Sequence, residues 1–105
     1  MRLNLYAIYD RCSKVYDRPW CARSDEEAMR SFVHIATNAE HPIGMNPEDF
    51  TCFRVGTWNE QEGIINGEAP EKVINGIEAV SASREIKPGS LRSNGVDLAA
   101  VGGTD

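Results

Sequence analysis

The stretch Ser24-Asp25-Glu26-Glu27 fixes the layout of the chain, because a hydroxyl followed three residues later by a glutamate is the capping box that opens a helix. The serine accepts from a first-turn amide, the glutamate reaches back, and the carboxylates meet the positive end of the helix dipole. Downstream, Ala28, Met29, Phe32, Val33 and Ala36 fall on one stripe at helical spacing, so the sequence predicts a helix over Asp25 to Thr37 that stops near Asn38. The following AEHPIGMNPEDF, with Pro42, Gly44 and Pro47, predicts a loop. A sheet built from strands on both sides of this helix is expected to pack one face on that stripe, and its first strands lie ahead of Ser24.

Two β-prone pieces lie there, Leu3 to Tyr9 and Val15 to Ala22, separated by the polar run Asp10 to Lys14. They predict a hairpin turning at Cys12-Ser13, with Tyr9 opposite Tyr16, Arg11 opposite Lys14, Ala7 opposite Arg18 and Leu5 opposite Trp20 on one face. The other face then carries Tyr6, Ile8, Val15 and Pro19, with Asp10 and Asp17. After the helix, Phe50 to Thr57 reads as a third strand, WNEQEG as a turn and Gly63 to Asn66 as a short fourth strand. The order β-β-α-β-β predicts an α+β fold: a small, mainly antiparallel four-stranded sheet with one packed helix and an irregular C-terminal tail.

A chain of 105 residues suits one small core, placed at 1–67. Beyond Gly67 there is no Trp, Tyr, Phe, His or Cys, and 68–105 is expected to be an extension, partly ordered at about 70–80 and otherwise flexible. Within APEKVINGIEAV, Pro70 suits a first helical position, with Val73, Ile74, Ile77 and Val80 on one side, while Asn75-Gly76 suits a hairpin turn equally well. Beyond Ser81 the chain reads as linker.

The chemistry-bearing residues do not assemble into a catalytic unit. The chain has no phosphate-cradling glycine loop, no HExxH and no GxSxG. His34 and His41 lack a neighbouring nucleophile or ligand series, and Glu48-Asp49 belongs to a proline-started turn more readily than to an acid–base pair. Cys12, Cys21 and Cys52 match no metal or redox spacing and read as small apolar thiols. The expectation is a protein that is not an enzyme and uses no metal or cofactor. No apolar run approaches the ~20 residues that span a bilayer, and the N-terminus has no leader-like pattern, so a soluble intracellular protein away from membranes is expected.

Charge is distributed unevenly. The net charge is −5, yet residues 1–23 hold Arg2, Arg11, Lys14, Arg18 and Arg23 against Asp10 and Asp17 only, a local +3. An aromatic and basic ribbon is suited to single-stranded nucleic acid, with rings on which bases stack at ~1–3 kcal/mol each and cations that meet phosphates. The candidate DNA-binding residues are Tyr9, Tyr16 and Trp20 for stacking, and Arg11, Lys14, Arg18 and Arg54 for phosphates. The competing reading makes Tyr9, Tyr16 and Trp20 the core face of the sheet, with the cations solvated at its edge.

The succession LYAIYDRCSKVYDRPW, then SDEEAMRSF, then HPIGMNPEDFTCFRVGTWNEQEGII resembles the small non-structural protein of gokushoviruses, microvirus bacteriophages with single-stranded circular DNA genomes. The resemblance covers about Leu3 to Ile65, and its most specific piece is NPEDFTCFRVGTWNE. It implies a DNA-binding accessory protein acting in the host bacterial cytoplasm, at the switch from duplex replication to single-strand synthesis and packaging. It brings no catalytic residues with it. The alternative is a protein-interaction or assembly module that contacts the phage capsid or host replication proteins. A sheet this small with an open face and edges also predicts a homo-oligomer.

Overall fold

The structure, a computed structural model, describes residues 2–85, and for Arg84 and Glu85 the backbone alone. The elements are β1 (Arg2–Asp10), β2 (Val15–Tyr16), β3 (Trp20–Ala22), α1 (Asp25–Ala36), α2 (Pro42–Met45), a 3-10 turn (Pro47–Asp49), β4 (Phe50–Asn59), β5 (Ile64–Asn75) and α3 (Gly76–Glu85). The sheet runs in the order β2-β1-β4-β5, with β3 also pairing β1, and every pairing is antiparallel. The α+β class and the mainly antiparallel sheet are therefore those read from the sequence.

The helix α1 forms as its capping box dictates. Ser24 Oγ accepts from Glu27 N at 3.2 Å, while Glu27 Oε1 accepts at 2.6 Å from Arg23 N, one residue beyond the usual partner. Ala28, Phe32 and Ala36 are buried against Tyr6, Ile8, Cys52 and Ile74 of the sheet, and α2 and α3 add Ile43 and Ala79 to that same cluster. All three helices thus bury residues on one side of the sheet.

The first hairpin differs from expectation in two ways. Its connection is the four residues Arg11–Lys14, between the paired Asp10 and Val15, rather than a two-residue turn. Asp10 closes it twice, through its carbonyl from Lys14 N (2.7 Å) and its carboxylate from Cys12 N (2.9 Å), with Lys14 at φ 63°. Tyr9 does lie opposite Tyr16. Past Asp17-Arg18-Pro19, however, the register has slipped by one: Trp20 faces Tyr6, and Leu5 faces Cys21. Proline cannot donate to the ladder, so the second strand breaks there, and a one-residue slip carries the following side chains to the opposite face.

The C-terminal half differs more. The strand expected to end at Asn66 continues to Asn75, so the boundary expected at Gly67 falls inside β5, and Ile74 and Ala79 beyond it are core residues. The alternatives for APEKVINGIEAV resolve into half strand and half helix. Asn75 caps α3: its Oδ1 accepts from Glu78 N (2.8 Å), and its own N–H donates to Glu78 Oε1 (2.9 Å). Gly76 opens α3 because a Cβ there would collide with the carbonyl of Pro47. Ser81 to Glu85, expected as linker, continue α3; the rest of the expected flexible tail, 86–105, lies outside the described residues.

Candidate nucleic-acid interface

Because β1 alternates without a bulge of its own, its residues separate cleanly into two faces. Tyr6 and Ile8 point to the helices. Leu3, Leu5, Ala7 and Tyr9 occupy the other face, and the register extends that face row by row: Leu3 with Trp58 and Ile65, Ala7 with Phe53 and Lys72, Tyr9 with Tyr16 and Thr51. Leu5 and Ala7 are buried yet lie outside the helix-side cluster, so their cover comes from the sheet's own side chains.

On this face, which no element among the described residues covers, three rings meet. Tyr9 and Tyr16 have centroids 4.8 Å apart, Tyr16 and Phe53 5.7 Å, and Tyr9 and Phe53 6.3 Å at nearly right angles. Such tilted and edge-to-face contacts are the favoured geometries of aromatic pairs. Tyr16 is 43% exposed at the sheet margin, which leaves ring surface open to a planar ligand. The partner that sequence reasoning missed is Phe53. Its signal is the alternation Thr51-Cys52-Phe53, which must place Phe53 opposite the buried Cys52.

Trp20 does not join this cluster. The slip at Pro19 turns it to the helix side, where its ring lies 5.9 Å from that of Tyr6 and packs against the core. Neither the all-surface nor the all-core reading of Tyr9, Tyr16 and Trp20 holds for the three together.

The four candidate cations also separate. Lys14 and Arg18 are exposed on either side of Tyr16 and enter none of the ion pairs found among the described residues. Arg11 is held by Asp49, its Nε 2.9 Å from Oδ1. That guanidinium holds the Asp49 carboxyl below its usual range, and the same carboxylate, hydrogen-bonded to the Cys12 thiol, pushes that thiol up. Arg54 lies across from Tyr6 on the helix side, paired with Glu71 and 3.9 Å from Asp25. Tyr6 donates its hydroxyl proton to Asp25 at 2.7 Å and accepts from Asn4 at 3.0 Å; burial, seconded by Asp25, pushes its pKa up to about 12.

At the opposite end of the sheet the connecting turn is acidic, with the exposed Arg2 opposite Asn59 next to it. The β4–β5 turn carries Glu60 and Glu62, with Gly63 at φ 69°, and Ile64 and Ile65 follow it, 47% and 64% exposed. β1 and β4 are antiparallel, so this turn stands at the far end of the strands from the β1–β2 turn, about 30 Å away over the nine residues of β1. On the helix side, a separate apolar concavity of about 500 Å³ lies between α1 and α3, lined by Met29, Val33, Ile74 and Ala82, with Arg30 and His34 beside them. No helix among the described residues is long and apolar enough to cross a membrane.

The described residues thus form an α+β protein with one sheet, packed by helices on one side and carrying aromatic and aliphatic side chains that none of these elements covers on the other. The chain belongs to the Phage ORF5 protein family, which matches residues 3–79 and so takes in all the described strands except Arg2 of β1, and the start of α3. No curated protein and no solved structure matches the chain.

Proposed function

We propose that the chain is a phage accessory protein of the gokushovirus type that binds single-stranded DNA during genome replication or packaging in the host cytoplasm. The observation that carries this reading is the placement of Tyr9, Tyr16 and Phe53 together on the sheet face that no described element covers, with the exposed Lys14 and Arg18, unpaired among the described residues, two positions to either side of Tyr16 along the chain. A sheet face presenting rings lets successive bases stack without hydrogen-bond readout, and cations at its margin follow the backbone. The acidic total is compatible with this, because affinity follows the local field and the number of phosphates neutralised. The binding residues in this reading are Tyr9, Tyr16, Phe53, Lys14 and Arg18. Arg11 and Arg54 are already occupied by carboxylates, and Trp20 stabilises the core.

A fluorescence-anisotropy titration of a labelled oligonucleotide at low and rising salt tests the reading. Binding that weakens linearly with the logarithm of salt concentration, and that falls on Tyr16→Ala, supports it. No binding at low salt removes it and favours an interaction module for capsid or host replication proteins, for which the α1–α3 concavity offers an apolar surface.

A further inference from the structure

We propose that the uncovered sheet face is also an interface between two copies of this chain, packed face to face with strands antiparallel, so that Glu60 and Glu62 of each copy meet Lys14 and Arg18 of the other. The edges of the sheet are blunted while its face is not. Pro19 interrupts one edge beside Asp17 and Arg18, and Pro70 sits in the irregularity of the other, between Glu68 and Glu71. Prolines and charges at edges discourage the addition of strands, so a partner is directed to the face.

In a face-to-face pair the twofold axis lies in the plane between the sheets, and its direction decides which ends meet. A twofold axis along the strands brings the acidic turns together and the basic turns together. An axis nearly across the strands brings the acidic end of each copy to the basic end of the other. The two turns lie on opposite lateral halves of the sheet, about 10 Å apart sideways at two strand spacings, so a tilt of the axis by roughly 20° seats turn on turn, and electrostatics selects it. The apolar row Leu3, Trp58 and Ile65, beside the acidic turn, then packs toward the partner's aromatic end, Tyr9, Tyr16 and Phe53, with Leu5 between. The sheet offers roughly 30 by 20 Å from its strand lengths and spacing, at the low end of what a specific interface of ~800 Å² per partner requires. A concentration-dependent dimer follows from that size.

This inference stands apart from DNA binding and is tested without DNA. Sedimentation velocity of the full chain over a concentration series should show a shift from one chain's mass toward two, weakened by salt. Lys14→Glu with Arg18→Glu should weaken association at least tenfold, and so should Glu60→Lys with Glu62→Lys. Both pairs are exposed, and thermal melting of each variant confirms that the fold is kept. Mixed one to one, the two variants present complementary turns at both ends of the interface and should regain the dimer. A wild-type chain that stays monomeric overturns the proposal. So do charge variants that dimerise like wild type, or a mixture no more associated than its components.

Discussion

The hydroxyl of Tyr6, in the middle of β1, donates a 2.7 Å hydrogen bond to Oδ1 of Asp25, the first residue of α1. One side chain thereby joins the sheet to the N-terminus of the helix that covers it. Its folded pKa, about 12 against 10.0, makes the neutral phenol a stabilising species. The contribution is fully present below pH 10 and is lost as pH rises through 12, at most roughly 2–3 kcal/mol across that window. The buried Cys52 thiol, pushed by burial to about 12, acts with the same sign from pH 9.0 upward. Tyr6→Phe should therefore lower the melting temperature at neutral pH and flatten its fall between pH 10 and 12. An unchanged alkaline profile in the variant would mean that another group carries that fall.

Lys14→Ala with Arg18→Ala should weaken oligonucleotide binding and reduce the salt slope by about 0.7 for each phosphate no longer neutralised. Arg11→Ala and Arg54→Ala should leave that slope nearly unchanged, because their guanidinium groups already face Asp49, Glu71 and Asp25. Equal effects from all four would show that these ion pairs open on binding.

Gly76→Ala runs against helix propensity. Alanine is favoured over glycine by up to ~1 kcal/mol within a helix, yet the added methyl would strike the Pro47 carbonyl. A loss of about 1–3 kcal/mol is expected, read as a fall in melting temperature of roughly 4–8 °C per kcal/mol. A rise would mean that α3 lifts off the 3-10 turn at little cost.

If the bare face serves both DNA and a second copy, the two compete. Apparent DNA affinity should fall as protein concentration passes into the dimeric range, and oligonucleotide should return the sedimenting species toward one chain per strand segment. The paired variant Glu60→Lys with Glu62→Lys should relieve this competition and bind DNA at least as tightly as wild type. A dimer that binds DNA undiminished would place the strand elsewhere on the molecule.

The elements with strong local signals were legible from residues alone. Ser24 and Glu27 announce α1, and the alternation in LYAIY announces β1. What escaped was set by tertiary context. The face of Trp20 depends on a one-residue slip at Pro19, which pairing by simple symmetry across the hairpin cannot register. The length of β5 escaped because Glu68, Ala69 and Pro70 look like the end of a strand, whereas they form an irregularity opposite Val55 within a longer one. Nor did sequence distinguish Lys14 and Arg18 from Arg11 and Arg54. That separation depends on carboxylates far along the chain, Asp49 and Glu71, which only the folded sheet brings near.

The three thiols are distributed less uniformly than their reading as small apolar residues suggested, and the difference furnishes a native reporter. Cys52 is fully enclosed, with its thiolate disfavoured, and reacts only when the domain opens. Cys12 is exposed, but the neighbouring Asp49 carboxylate suppresses its ionisation. Cys21 is exposed opposite Leu5 on the bare face, midway between the aromatic cluster and the acidic turn. Alkylation at that one position therefore footprints whatever covers the face, strand or protein, in the unmodified chain, with Cys52 as an internal gauge of unfolding.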